Sequence, residues 1–236
     1  MKQLLLLALS LGLSAATAQA QSTEFTLHAT SGYFSYRGAS ATGTSFINGS
    51  DTGGSGYTNN PYGNRFTLSY GGAGQVQRVT AYHLVLGAQA GYEWLRSRVA
   101  IDSFYPGRGS QLMPAMGNTL LTSRFINTHL FVGRRFELGP MNLDATVGPE
   151  LALLRGVNEK GDATSNGTTI RTDRTRYTDT TDDLLRARAN LTAYYQRLGL
   201  SVGYSHGLLD QKRGYVGGTN DLSSQMLRVG LAYRIN

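Results

Sequence analysis

The side chains that could do chemistry are few, and their spacing works against them. There is no cysteine, which removes thiol nucleophiles, thiolate metal sites and any disulfide framework. Four histidines remain, His28, His83, His129 and His206. The arrangement nearest to a nucleophile with its base is Ser205-His206, with Asp210 close behind. Nucleophilic catalysis needs hydroxyl and imidazole within hydrogen-bond reach, whereas neighbours on a strand point to opposite faces. If this segment is a strand, Ser205 and His206 cannot serve each other, and Thr128-His129 fails for the same reason. The run Asp179-Thr180-Thr181-Asp182-Asp183 offers the oxygen ligands that Ca²⁺ favours. It lacks the Gly-turned spacing of a calcium loop and reads as a solvated loop. Gly53-Gly54-Ser55-Gly56 has no phosphate-loop lysine. The sequence therefore implies no catalytic residues, no cofactor and no metal.

The charged residues carry more information. Glu93, Asp144 and Glu150 on one side, and Arg186, Arg188 and Arg228 on the other, fall on the polar rows of alternating segments. If those rows line an interior, the charges must pair, because an isolated buried ion is very costly. Counted from the turns beneath them, Glu150 and Arg188 stand at about the same height, so a pair is expected there. His28 and His83 fall on the same rows and are expected to complete interior hydrogen bonds. The formal net charge is +7, yet lysine occurs only at Lys2, Lys160 and Lys212 and no Lys/Arg run appears. Scattered single arginines do not make a nucleic-acid surface.

Period two organises everything that must position these groups. Alternating apolar and polar residues mark strands over about 24–36, 65–78, 82–98, 124–137, 141–155, 184–196, 198–207 and 224–235. Three connections are very short, around 79–81, 138–140 and 196–198. Four are long and polar, roughly 37–64, 99–123, 156–183 and 208–223. Strict alternation of tight turns with long loops is the asymmetry of a transmembrane β-barrel, and a soluble sandwich gives no reason for it. Aromatics at strand ends (Tyr33, Trp94, Phe136, Tyr195 and Tyr233) suit the girdles at membrane interfaces. The fold class expected is all-β: an eight-stranded antiparallel up-and-down transmembrane barrel over 21–236. Eight strands leave a lumen just wide enough for its own side chains.

The N-terminus supplies the route to a membrane. Lys2, the apolar run Leu4 to Leu13 and Ala18-Gln19-Ala20 make a cleavable signal peptide over 1–20. The run is too short for the ~20 apolar residues of a spanning helix.

The final strand is more specific. Arg228, Gly230, Tyr233 and Ile235 fit polar-x-Gly-x-x-aromatic-x-hydrophobic. This resembles the signal by which the outer-membrane assembly machinery recognises a barrel's last strand, with Asn236 as a departure after Ile235. Together with Gln75-Val76-Gln77-Arg78-Val79 and Gly87-Ala88-Gln89-Ala90-Gly91-Tyr92-Glu93, it makes the chain resemble the outer-membrane protein β-barrel domain family common in Bacteroidota. The general architecture is similar to OmpX and the OmpA barrel. The resemblance implies an outer-membrane location, membrane lipid and the assembly machinery as partners, and no catalytic residues to transfer. The function expected is structural or surface-interacting, through four outer loops facing an unidentified extracellular partner. A narrow pore and a lipid-modifying enzyme are the alternatives.

Overall fold

The computed structural model describes residues 22–49, 56–176, 183–212 and 221–236. The expected signal peptide 1–20 and the acidic run 179–182 lie outside these residues. Among them are eleven strands: β1 (Ser22–Arg37), β2 (Thr44–Asn48), β3 (Tyr57–Thr58), β4 (Arg65–Val79), β5 (Leu84–Tyr105), β6 (Met113–Leu138), β7 (Met141–Ser165), β8 (Thr168–Arg176), β9 (Asp183–Tyr195), β10 (Leu198–Gly207) and β11 (Ser223–Arg234). Eight of them close a ring of antiparallel neighbours in the order β1-β4-β5-β6-β7-β9-β10-β11, and β11 pairs back onto β1. The fold is thus an eight-stranded up-and-down barrel. Closure removes the unpaired strand edges that lipid would not tolerate.

Each of the three tight turns carries one residue in the left-handed region: His83 (φ 61°), Gly139 (φ 64°) and Gln196 (φ 53°). His83 therefore departs from the expectation that it lines the interior. It sits in the turn, half-exposed, with Nδ1 3.5 Å from Glu137.

The seam between first and last strands extends past the end of β11. Ile235 N donates to Phe25 O at 2.8 Å. Phe25 N donates to Asn236 Oδ1, and Asn236 Nδ2 donates to Thr23 O. Asn236, a departure from the pattern in sequence terms, ties β1 to the C-terminus.

The wall is inside-out relative to a soluble barrel. Outward positions carry Leu200 (67% exposed), Leu231 (63%) and Val202 (52%), while the inward row holds Glu24, His28, Gln89, Glu93, Asn127, Glu150 and Arg228, all buried. Along β5 the outward apolar row from Leu84 to Trp94 covers the ~9–11 residues a tilted strand needs to cross a bilayer.

Beyond that height the polarity of the alternation reverses. Leu95, Val99 and Ile101 on β5, Leu121 on β6 and Val157 and Ala163 on β7 turn inward and are buried. Arg96, Arg98, Thr122 and Asp162 turn outward. A bulge at Arg155, where Arg124 pairs with Gly156 but Phe125 with Leu154, re-phases β7 and makes this possible. Segments 99–105, 113–123 and 156–165, expected to be loop, thus extend the barrel wall as strand.

These extensions close a second ring. β2 pairs parallel with β5, β3 with β2, β8 with β7, and Gly56 bridges Thr172 on β8. A small apolar core of Ile47, Ile101 and Ala163, flanked by Phe104, Ala115 and Ile170, fills it.

Candidate functional site

The interior is stacked in layers, and charge sits in two of them. Nearest the tight turns, Arg135 donates from Nε to Asp144 Oδ1 at 2.7 Å and from Nη1 to Glu24 Oε1 at 2.7 Å. Gln77 Nε2 donates to Glu24 and Asp144 at 2.8 and 3.0 Å. Arg234 lies 3.2 Å from Glu24 and stacks 4.1 Å above the Tyr194 ring. Two carboxylates meet two guanidiniums, so this layer is balanced.

The second layer lies higher. Glu150, fully buried, accepts from Arg186 Nη1 (3.2 Å), Arg188 Nη1 (2.9 Å) and Arg228 Nη2 (3.1 Å). Arg228 Nε also donates to Glu93 Oε1 at 2.7 Å, and its Nη1 to Ser205 Oγ at 2.7 Å. Asn127 Nδ2 donates to Glu93, and Arg188 Nε to Asn190 Oδ1. Three arginines converge on two carboxylates, and the surplus guanidinium is accommodated partly by the Phe125 ring, 4.9 Å from Arg186 Cζ.

Of the six charges read from sequence, five meet in this layer, including the expected Glu150–Arg188 contact. In strand register, however, Arg186 is the residue opposite Glu150, and Arg188 reaches it diagonally. Asp144 belongs to the other layer. The other charges of that layer, Glu24, Arg135 and Arg234, are not among the six, although the sequence holds a signal for Arg135. Arg135 stands directly opposite Asp144, each three residues from the Leu138–Met141 pair that closes the tight turn between β6 and β7, so counting from that turn pairs them.

Two small cavities border the layers. One cavity of about 10 Å³ is bordered by Thr30, Gln89, Glu93, Asn127, His129 and Arg188. Another of about 20 Å³ is bordered by His28, Gln75, Asp144, Asn190 and Tyr194, among others. Each has room for about one water. Above the upper charge layer, Phe34, Tyr36, Leu95, Leu121, Phe125 and Met226 form an apolar cluster across the barrel.

Ser205 faces this interior, bound to Arg228, whereas His206 is exposed on the outer wall. His129 is buried and Thr128 exposed. Among the described residues no His/Asp/Glu group of three could hold a metal ion.

The interface aromatics fall at two heights. Phe136, Tyr195 and Tyr233 stand exposed near the turns, and Tyr33 at the far end of the apolar wall. Trp94 is half-buried at that far end, stacked on Tyr70 with ring centroids 5.3 Å apart and edge-on to Tyr92. In the terminal pattern, Arg228 points into the upper charge layer while Tyr233 and Ile235 face outward. Gly230 lies where a Cβ would stand 2.8 Å from Ser201 Oγ and 2.9 Å from Ala29 O. Glu159, in a segment expected to be loop, is fully buried in the outer ring. It accepts from Thr58 N (2.7 Å) and Thr58 Oγ1 (2.6 Å) and from Arg176 Nε, clasping β3 to the β7–β8 hairpin.

No model of a protein family matches the sequence, and no curated protein does. Among solved structures, the chain is similar to the attachment invasion locus protein Ail of Yersinia pestis, solved with the heparin analogue sucrose octasulfate. Identity is 10%, coverage 92% of this chain and 100% of that one, and the TM-score 0.32. It is also similar to Neisserial surface protein A, at 10% identity, 91% and 99% coverage and a TM-score of 0.34.

Proposed function

We propose that the chain is an integral outer-membrane barrel of a Gram-negative bacterium, with a side-chain-filled lumen that conducts no solute, acting at the cell surface through its outer ring and loops. The observation that carries this reading is the pair of charge layers. Five ionised groups in the upper layer and four in the lower draw opposite walls together, and the apolar cluster lies above them. A porin lumen holds water and charges that face it; here the guanidiniums are spent on carboxylates.

Export by the N-terminal segment and insertion by the assembly machinery through β11 complete the reading, with lipid as the first partner. Catalysis has no support from Ser205 and His206, which stand on opposite faces of β10. What remains for specific action is the outer end, where β2, β3 and β8 close a second ring.

Planar-bilayer recording on the refolded protein tests the lumen. Heat-modifiable, inserted protein should leave the bilayer silent. Discrete conductance steps from that same material would replace this reading with the narrow pore.

A further inference from the structure

We propose that the outward face of β5–β7, just above the Trp94 girdle, is a binding surface for phosphate-bearing glycolipid headgroups in the outer leaflet, with Arg96, Arg98 and Arg124 as its contacts. This inference rests on the outer-membrane reading above.

The polarity reversal places the surface. Below it the wall is apolar; at it, three arginines stand on two adjacent strands, where the apolar row gives way to polar residues. Arg96 and Arg98 follow Trp94 on the outward row of β5, and Arg124 on β6 is the register partner of Trp94. Exposed Arg65 lies opposite Arg98 on β4, and exposed Arg155 follows on the β7 bulge. The basic band therefore crosses four strands.

No ion pair offsets it. Among the described residues none of these five arginines has an ion pair, in contrast to Lys160, whose ammonium lies 3.1 Å from Asp173 higher on the wall. The outward positions nearest them on β4 to β6 are Phe66, Leu68, Tyr70, Trp94, Leu120 and Thr122, and the first carboxylate on the outward row of β5 is Asp102, four residues past Arg98.

Two of the side chains are held along the wall. Arg96 Nη2 donates to Tyr70 Oη at 3.1 Å, with Cζ 4.9 Å from the ring centroid. Arg124 lies across Gly156, where a Cβ would stand 2.6 Å from its Nη2. A bare glycine opposite an arginine gives its guanidinium a flat bed on the β7 side of the surface.

Such a surface suits a phosphomonoester on a lipid. The acyl chains lie against the apolar wall, the sugar at the aromatic girdle, and the phosphate at the guanidiniums, which bind it bidentately. On the opposite side of the barrel the corresponding outward positions are Tyr33, Leu227, Tyr204, Ala187 and His206, without an arginine or lysine, so the arginine surface is one-sided.

The chain's one tryptophan, Trp94, lies inside this surface and reports on it. The full-length protein is refolded into phosphatidylcholine nanodiscs, and Trp94 emission is followed as bis-phosphorylated lipid A is added. Dephosphorylated lipid A and inorganic phosphate are run in parallel. The expected result is a saturable shift with lipid A alone, weakened about 100-fold in the R96Q/R98Q/R124Q variant, given ~1 kcal/mol per surface arginine. A control, R134Q/R171Q/R197Q, removes the same charge elsewhere and should retain binding. Three outcomes overturn the inference: equal response to dephosphorylated lipid, response to free phosphate, or equal loss in the control variant. Failure to insert at all, read as no heat-modifiable form, would instead contradict the barrel reading beneath it.

Discussion

An E150A protein is expected to lose about 3–5 kcal/mol of folding stability, the usual cost of breaking a buried ion pair by removing one partner. Glu150 is fully buried and accepts from three guanidiniums. Its removal leaves Arg186, Arg188 and Arg228 facing Glu93 alone, in a layer with room for about one water. The control is the double variant E150Q/R186M, which restores the original charge surplus of the layer and should recover a substantial part of the loss. Urea unfolding in detergent micelles, followed by the gel shift, measures both. If E150A unfolds like the parent, the upper layer is hydrated and the pairing contributes little.

The second large effect concerns the other face of the wall. Val202 is outward on β10, between Leu191 and Val229 in register, and half-exposed. For an exposed residue of a water-soluble barrel, V202R would change stability by no more than about 0.5 kcal/mol. In a membrane barrel the same substitution costs about 2–4 kcal/mol, because mid-wall positions face hydrocarbon. Refolding yield and urea midpoint in lipid vesicles distinguish the two. A matching R171Q change, on the exposed outer face of β8, should be neutral.

These two faces were not equally legible in the sequence. Period two separated Leu198, Leu200, Val202 and Tyr204 from Gly199, Ser201, Gly203 and Ser205 without ambiguity, because a strand assigns alternate residues to opposite sides whatever lies there. It did not say which side was inside. That came from the turns and loops, and the burial of Glu150 and Arg228 agrees with it.

What remained hidden lies above the membrane, and the reason is physical. There the inner row becomes apolar (Leu95, Val99, Ile101) and the outer row polar (Arg96, Arg98, Asp102), so the alternation continues with its sign inverted. A reading that expects apolar residues on one row through the whole strand loses the signal beyond Trp94 and writes loop from residue 99. The bulge at Arg155 compounds this on β7, shifting the parity so that Val157 and Glu159 face inward. The pairing of β2 with β5 joins segments some fifty residues apart, which local periodicity cannot register.

The charge layers show the same division. The Glu150–Arg188 contact is legible because strand height can be counted from a tight turn. Asp144 shares their row, and the row alone does not separate it from them. Its true partner is Arg135, across the tight turn; the other charges of that layer, Glu24 and Arg234, come from the first and last strands, and only ring closure brings those together.

The most direct measurement is gel migration of the outer-membrane fraction from cells expressing the full chain, run with and without boiling. A closed barrel seated in that membrane resists SDS until heated, so the band should shift on boiling and should be absent from the soluble periplasmic fraction. A soluble periplasmic protein whose migration is unchanged by boiling would contradict the membrane barrel.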